Sequence, residues 1–254
     1  MPLAPPGINL IKRLTLFSTS VASRPVTQKT IAIPPAAREA DSRQTRGQRT
    51  RERLLEEALR LFALRGFEGV GIREVAAAAD TNIASIAFHF TGKEGLYAAV
   101  IARVAGELAR LHRTALDAAA ARAPADASPA ARAGVMVAEL AAALLASNRS
   151  QWMSLLLQRE FITPTASFDT IYDVAIKPTL EGFSALVAAA AGTEPSSLDC
   201  KALAFSLFIV ASAFARNMNT FLHFAETSGY TAQDTAAIGR ALAAFVTNGL
   251  APKP

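Results

Sequence analysis

Residues 80–97 combine a short helix, a tight turn and a second helix that opens on a lysine. Asn82 can cap the first helix, which ends in Phe88-His89-Phe90, and Lys93 follows after a two-residue break. About 20 residues upstream, another helix is predicted to end near Gly66. Lysine side chains and helix N-termini bind phosphate groups, and short helices joined by a tight turn can present one helix to a DNA groove. The spacing therefore predicts contacts to a nucleic acid rather than a catalytic centre.

The outward face of the helix predicted over residues 83–89 is poor in hydrogen-bonding groups. Ile86 and Phe90 are expected to face the core, which turns outward Ile83, Ala84, Ser85, Ala87 and Phe88. Only Ser85 offers a hydroxyl, so arginine–guanine pairing is not expected from this helix. Bases are instead expected to be read through thymine methyl groups and DNA shape. Phe88 is equally compatible with a groove-facing position and a core position.

Phosphate contacts are expected from His89, Lys93 and Arg73, and from backbone amides at helix N-termini. His89 could instead cap its own helix. The arginines before the first helix could follow the DNA backbone or enter the minor groove, or else form a solvated tail. The complete set of candidate DNA-binding residues is Arg43, Arg46, Arg49, Arg73, Asn82, Ile83, Ala84, Ser85, Ala87, Phe88, His89 and Lys93.

Positive charge is concentrated at the beginning of the chain. The 254 residues carry a net charge of +5, but residues 1–53 hold ten Lys or Arg against three Asp or Glu, which gives +7. The remaining residues hold 16 basic and 18 acidic side chains, which gives −2. A basic segment of this kind is typical of proteins that bind a polyanion.

The sequence carries no motif that indicates an enzyme. His89, His112 and His223 have no metal-ligand spacing to carboxylates or to the single cysteine, Cys200. There is no glycine-rich phosphate loop and no nucleophile elbow. We therefore expect no catalytic residue, no metal and no cofactor. Cys200 indicates a reducing compartment and is expected to be a buried small residue, with a redox sensor as the alternative.

Abundant alanine and scarce alternation of β-branched residues predict an all-α fold. Residues 1–44 contain six prolines and are expected to form a disordered basic arm, with a targeting peptide or a misplaced translation start as alternatives. No apolar run reaches 18 residues without charges or breakers, so no membrane span is expected. Helices are predicted over residues 48–65, 72–79, 83–89, 93–120, 129–147, 152–161, 166–191 with a kink at Pro178, 196–226 and 231–249.

Residue types and spacings over some 50 positions carry a family resemblance. They are Thr50-Arg51-Glu52-Arg53-Leu54-Leu55, Ala58, Leu61, Phe62, Gly66-Phe67, Ile72-Arg73-Glu74-Val75-Ala76, Phe88-His89-Phe90 and Lys93-Glu94-Gly95-Leu96-Tyr97. With them, residues 46–97 resemble the DNA-binding domain of the TetR family of bacterial transcriptional regulators. A second resemblance, to the CecR-like subgroup, is carried by Asn82-Ile83-Ala84-Ser85-Ile86, Arg159-Glu160 and Pro164-Thr165.

The resemblance implies an N-terminal three-helix helix-turn-helix DNA-binding domain, residues 45–97, followed by a C-terminal helical domain, residues 98–254, for ligand binding and dimerisation. It implies a cytoplasmic bacterial regulator that binds a palindromic operator in double-stranded DNA as a homodimer. The family's habit favours a repressor that a small-molecule effector releases from its operator. A sequence-nonspecific DNA-binding protein without effector control is the alternative function.

Three residues depart from the family's pattern in the helix-turn-helix. Asp80 stands where the turn usually has glycine, and aspartate tolerates a left-handed backbone better than most residues. Thr81 replaces an apolar turn residue, and Gly71 replaces a hydroxyl cap. Together they predict a looser helix-turn-helix than average.

Two features of the C-terminal region bear on dimerisation and ligand binding. Helices near residues 198–226 and 231–249 are apolar on more than one face, which indicates that a second protomer covers one of them. Polar and aromatic residues interrupt otherwise apolar helices, as expected for a pocket with a few polar anchors, although each is also compatible with ordinary core. The candidate effector-binding residues are His112, Trp152, Met153, Arg159, Phe161, Phe168, Tyr172, Asn217 and Met218.

Overall fold

A computed structural model describes the backbone of residues 35–147 and 151–251, and the side chains of residues 45–147 and 151–251. The chain divides into two units, residues 1–43 and residues 44–254, and the regions of interest lie in the second. The helices of the described chain are α1 (Pro35–Arg65), α2 (Ile72–Ala78), α3 (Ile83–Phe90), α4 (Lys93–Arg122), α5 (Pro129–Ala146), α6 (Gln151–Ile162), α7 (Phe168–Ile171), a π-helix (Tyr172–Ile176), α8 (Lys177–Ala191), α9 (Leu198–Arg216), α10 (Met218–Phe224) and α11 (Ala232–Leu250). No strand occurs in the described ranges, and the all-α prediction is confirmed.

Helices α1 to α4 share one apolar core. Phe62, Ile86 and Leu96 are fully buried in it, and burial of each such side chain contributes about 1.5–3 kcal/mol. The Tyr97 ring packs edge-on against Phe62 and Phe67, with 4.9 Å between ring centroids in both pairs. The prediction that Ile86 and Phe90 face inward is confirmed. This core fixes the direction in which α3 presents its outer face.

Helix boundaries follow local capping chemistry in the sequence. Gly66 ends α1 with a φ of +75°, a left-handed conformation that glycine adopts without steric cost. The Asn82 side chain caps α3, and Ser128 caps α5 ahead of Pro129 in the first helical turn. A reciprocal capping box between Thr231 and Asp234 begins α11.

The first helix begins at Pro35, not at Gln48 as predicted, so it includes ten residues assigned to the arm. Proline favours the first helical position, and the Ala-Ala-Arg-Glu-Ala run that follows is rich in helix formers. Sequence-based expectations for residues 1–34, and for the Arg43 side chain, lie outside the described residues.

Two long helices predicted in the C-terminal region are interrupted. The helix predicted over residues 196–226 breaks at Asn217, whose amide Nδ2 donates to the Ala213 carbonyl at 3.1 Å and competes with the backbone. In the helix predicted over residues 166–191, a π-turn precedes Pro178. Because proline has no N–H to donate, the wider turn, closed by Lys177 N–H to Tyr172 O, accommodates it.

Helix α5 is central to the C-terminal bundle and contacts α4, α8, α9 and α11. Its closest approach to α11 is at Gly134, where a Cβ would lie 2.6 Å from the Ala243 carbonyl oxygen and 2.5 Å from Thr247 Oγ1. The two helices therefore pack backbone to backbone, and this contact holds α11 against the rest of the bundle.

The expectation that no segment could span a membrane was too strict. By length and composition alone, three helical segments are long and apolar enough: Pro129–Ala146, Phe168–Ala191 and Leu198–Arg216. Counting uninterrupted apolar runs missed them because each contains isolated polar residues or a proline. Within the bundle these helices pack against one another, so their apolar character is also that of a helical core.

Candidate nucleic-acid interface and ligand cavity

The turn between α2 and α3 is built around a left-handed aspartate. Asp80 has a φ of +49°, as its position in place of glycine predicts. Its N–H donates to Ala77 O at 3.1 Å, and the Thr81 N–H donates to Ala76 O at 2.9 Å. Exposed Arg53 lies 3.7 Å from the Asp80 carboxylate, a distance and setting that contribute little stability. The turn keeps its backbone hydrogen bonds, and the predicted looseness of the motif stays a prediction.

The polar groups at the beginning of α3 bond to one another. Asn82 Oδ1 accepts from the Ser85 N–H at 2.9 Å and from the Ser85 hydroxyl at 3.0 Å. Ser85 Oγ is also 2.9 Å from Thr81 Oγ1. Since the Ser85 proton is given to Asn82, Thr81 is the donor in the second bond. The one hydroxyl that the sequence placed on the outer face is therefore already hydrogen-bonded within the protein.

The outer face of α3 is apolar and exposed. Phe88 is 83% exposed and Ile83 is 40% exposed, while Ala84 and Ala87 lie beside them in contact with solvent. Of the two positions that the sequence left open for Phe88, the structure shows the outward-facing one and not the core. Together these side chains form an apolar patch on one face of α3, and contiguous exposed patches are typical of surfaces that contact another molecule.

The basic side chains predicted to contact phosphates lie on α1, α2 and α3 and at the beginning of α4. Arg46, Arg49 and Arg73 are exposed, and His89 is half-buried, with its Cε1 near the backbone of Gly47. Lys93 lies at the first position of α4, and its Nζ is 4.4 Å from the centroid of the Phe67 ring. This cation–π contact holds the ammonium group against the Phe67 ring.

A cavity of about 700 Å³ lies within the C-terminal bundle, between α4, α5, α6, the π-helix, α9 and α10. Four predicted effector-binding residues line it, namely His112, Phe161, Asn217 and Met218. The other five do not: Trp152, Met153, Arg159, Phe168 and Tyr172. Lining residues that the sequence analysis missed include Gln151, Ser154, Gln158, Ser212 and Arg216. On α6, Gln151, Ser154 and Gln158 recur at helical spacing and form a polar stripe beside Leu155 and Phe161. A periodicity count could have found this stripe.

His112 is a buried polar residue on the cavity wall. Its Nδ1 lies 3.1 Å from the Ala175 carbonyl oxygen and 2.9 Å from Thr179 Oγ1. A carbonyl oxygen only accepts, so Nδ1 carries a proton and donates to it. Ala175 belongs to the π-helix, which thereby fixes the orientation of the imidazole ring.

Arg216, the last residue of α9, also faces the cavity. Its Nε is buried and has no hydrogen-bond partner among the described residues. Burial lowers the pKa of the Arg216 guanidinium below its usual range, because the cation loses hydration. The sequence signal was available: Arg216 directly follows the 14-residue apolar stretch of residues 202–215.

Arg159 was predicted to bind an effector, but it joins α6 to the first helix. Its Nε donates to the Ala63 carbonyl and its Nη2 to the Leu64 carbonyl, both at 2.6 Å. These carbonyls lie in the last turn of α1 and have no partner within that helix. The long side chain reaches across to the end of a helix almost 100 residues away in sequence, so it does not line the cavity, and its role in effector binding stays a prediction.

The next residue, Glu160, joins α6 to α4. It is buried, and it accepts hydrogen bonds from the Tyr97 hydroxyl at 2.5 Å and from the Thr165 N–H at 3.1 Å. Burial, followed by the hydrogen bond to Glu160, raises the pKa of Tyr97, so its hydroxyl stays protonated as the donor. Adjacent residues of α6 therefore hold the end of α1 and the beginning of α4.

No group of three or more His, Cys, Asp or Glu side chains suited to a metal ion occurs within the described ranges. Cys200 is buried, and its Sγ lies 3.3 Å from the Ser184 carbonyl oxygen. A buried thiol bonded to the backbone matches the expectation of a structural residue.

Comparison with known proteins adds independent support to this architecture. The model of the tetR family of bacterial regulatory proteins matches residues 54–100, and that of the C-terminal domain of the HTH-type transcriptional dual regulator CecR matches residues 129–250. CecR of Shigella flexneri is 30% identical over 157 residues, which are 59% of this chain and 68% of CecR. The probable HTH-type transcriptional regulator YttP of Bacillus subtilis (strain 168) is 45% identical over 47 residues, 18% of this chain and 23% of YttP.

The fold is also that of a solved regulator. The structure of the ketosteroid transcriptional regulator KstR2 of Mycobacterium tuberculosis superposes with a TM-score of 0.52 at 18% identity, covering 80% of this chain and 95% of that one. At this identity the likeness concerns the fold alone.

The chain belongs to the TetR family of bacterial regulatory proteins, and it is a DNA-binding transcriptional regulator rather than an enzyme. Its C-terminal region places it with the CecR-like regulators.

Proposed function

We propose that the protein is a cytoplasmic repressor that binds a palindromic operator as a homodimer and leaves it when a small molecule occupies the bundle cavity. One observation carries the proposal. Helix α6 lines the cavity with one face. Through Arg159 and Glu160 it also holds α1 and α4, two helices that share an apolar core with α3. Any shift of α6 on ligand binding would therefore act on the DNA-binding helices.

On the DNA side, we propose that α3 enters the major groove with Phe88 and Ile83 against the bases. Exposed apolar side chains favour the C5 methyl groups of thymine. Lys93, Arg73 and the arginines of α1 would neutralise phosphates on both sides of the groove. Affinity then comes mainly from charge, while sequence preference comes from methyl contacts and groove shape.

Exposed apolar side chains on α9 and α11 support the proposed dimer. Leu203 and Phe205 on α9 and Phe245 on α11 are 43%, 52% and 68% exposed. A two-fold axis through this surface would pair each helix with its copy and bury these side chains. The distance between the two copies of α3 would then set the half-site spacing.

Selection of bound sites from random duplex DNA tests the function, once with the protein alone and once with candidate effectors added. The proposal expects a palindromic motif that is lost when an effector is added. Equal affinity for random DNA and the selected site at physiological salt would contradict it and favour the nonspecific DNA-binding protein.

Two variants test the proposed dimer, by sedimentation of the protein and by the same selection of DNA sites. Phe245→Glu should produce monomers and select isolated half-sites, because it places a charge in the proposed interface. Phe224→Glu on α10 is the matched control, since Phe224 is also largely exposed but lies outside the proposed interface. Dimers that survive Phe245→Glu with unchanged stability would refute the proposed surface.

A further inference from the structure

The described part of the cavity wall holds a single strong charge. Among its described lining residues, Arg216 is the only Arg, Lys, Asp or Glu, and no carboxylate faces it from the other helices of the wall. The other polar lining groups are hydroxyls, amides and the His112 imidazole. A concave site lined by one cation and no anion among its described residues favours a ligand that carries negative charge.

The guanidinium of Arg216 is incompletely paired. Its Nε is shielded from solvent and donates to no group in the described protein. A buried donor without an acceptor is unfavourable, and more so when it belongs to a charged group. Buried polar groups without partners are rare in native proteins. Because Nε is closed to solvent, a ligand in the cavity would meet the rest of the Arg216 guanidinium, and its acceptor atoms would offset part of the cost of the partly buried cation.

Most of the remaining wall is apolar. Leu108, Leu144, Leu155, Ile176 and Phe208 come from five different elements and surround the space with hydrocarbon. A volume of about 700 Å³ accommodates a molecule of the size of many cofactors and drugs. The planar guanidinium matches the two oxygens of a carboxylate better than any neutral group of similar size.

We propose that the effector is an amphipathic carboxylate whose apolar body fills the cavity and whose carboxylate pairs with Arg216. This inference rests on the proposed function, in which the cavity is the effector site. It goes further by naming the chemical class of the ligand and the residue that selects it. Neutral molecules of the same shape would offer at most an uncharged acceptor in place of the carboxylate and would bind more weakly.

Three probes of equal length but different charge test the proposal: decanoate, decanamide and decylamine. Binding is measured by calorimetry on the full chain. Wild-type protein should bind decanoate at least ten times more tightly than decanamide, and decylamine should bind most weakly. Arg216→Gln should remove the preference for decanoate and leave decanamide unchanged, while Arg216→Lys should retain part of it. Arg110→Gln, an exposed change on α4, is the matched control and should alter neither affinity.

The results separate failure of this inference from failure of the proposed function. If decanamide binds as tightly as decanoate, or if decanoate does not bind at millimolar concentration, the carboxylate proposal is wrong. The same conclusion follows if Arg216→Gln leaves the preference intact. Ser154→Trp, which fills the cavity from α6, tests the site itself, with its folding checked by circular dichroism. Probe binding that is unaffected by Ser154→Trp would contradict the cavity as the effector site, whatever the charge preference.

Discussion

The DNA-facing helix and the cavity differ in how their polar groups are paired. On α3 the Asn82 amide and the Ser85 hydroxyl bond to each other and to Thr81, which leaves an apolar face toward DNA. In the cavity the guanidinium of Arg216 keeps Nε without a partner. Surfaces with paired polar groups recognise shape and methyl groups, whereas a site with an unpaired charge selects the charge of its ligand. Under the proposed function, the chain would therefore recognise DNA by apolar contacts and its effector by charge.

The largest expected effect concerns Glu160, a buried carboxylate that accepts hydrogen bonds from Tyr97 and Thr165. Glu160→Ala leaves the Tyr97 hydroxyl and the Thr165 N–H buried without acceptors, which should lower the free energy of unfolding by about 3 kcal/mol. Arg216→Gln should leave it unchanged or raise it slightly, since it removes a partly buried cation whose Nε has no hydrogen-bond partner among the described residues. Urea denaturation at fixed protein concentration measures both.

Glu160→Gln is the control for this pair of variants, because it keeps one acceptor and should cost less than Glu160→Ala. If Arg216→Gln destabilised the protein as much as Glu160→Ala, Arg216 would be paired in solution and the contrast between the two regions would disappear.

The next effect concerns Phe88. Phe88→Ala should reduce discrimination between the selected operator and random DNA by about 1–3 kcal/mol, because it removes apolar contact with the bases. Its effect on the free energy of unfolding should be within about 0.5 kcal/mol, since the side chain is almost fully exposed. Fluorescence anisotropy with both DNAs and urea denaturation provide the two measurements. Equal loss of affinity for operator and random DNA would assign Phe88 to general binding instead.

A smaller effect is expected for Lys93. Lys93→Ala should weaken binding to all sequences alike and reduce the slope of log affinity against log salt by about one, the value for one phosphate contact. Lys201→Ala on α9 is the matched control and should leave the slope unchanged. A salt series of operator binding that gives identical slopes for wild type and Lys93→Ala would refute the phosphate contact.

The smallest effect is expected at the turn before α3. Asp80→Gly should raise the free energy of unfolding by up to about 1 kcal/mol, because glycine adopts a positive φ without the steric cost that aspartate bears. The lost ion pair with Arg53 offsets little of this, since both side chains are exposed. Thermal denaturation beside wild type measures the change, and a lower melting temperature would mean that the ion pair outweighs the backbone strain.

The DNA-binding region was predictable from the sequence because its determinants are local. Asn82 as the cap of α3, Gly66 as the end of α1, and the inward positions of Ile86 and Phe90 follow from spacing within a few residues. What the sequence did not reveal is that the Ser85 hydroxyl is already bonded, since that depends on side-chain conformation.

The cavity was less predictable because its wall combines residues from six elements. His112 and Asn217 were identified as polar residues in apolar helices, whereas Arg216 was overlooked at the end of an apolar run. The contacts of Arg159 to Ala63 and Leu64 were not foreseen, because they depend on tertiary packing that no local pattern encodes.

Replacement of thymine by deoxyuridine in the selected operator removes only the C5 methyl groups. It therefore measures how much these groups contribute to recognition by the apolar face of α3. If Phe88 contacts these methyl groups, replacement of the half-site thymines should lower wild-type affinity about tenfold or more. The affinity of Phe88→Ala should not change on the same replacement. Unchanged wild-type affinity on the deoxyuridine operator would contradict recognition of DNA by an apolar helix face.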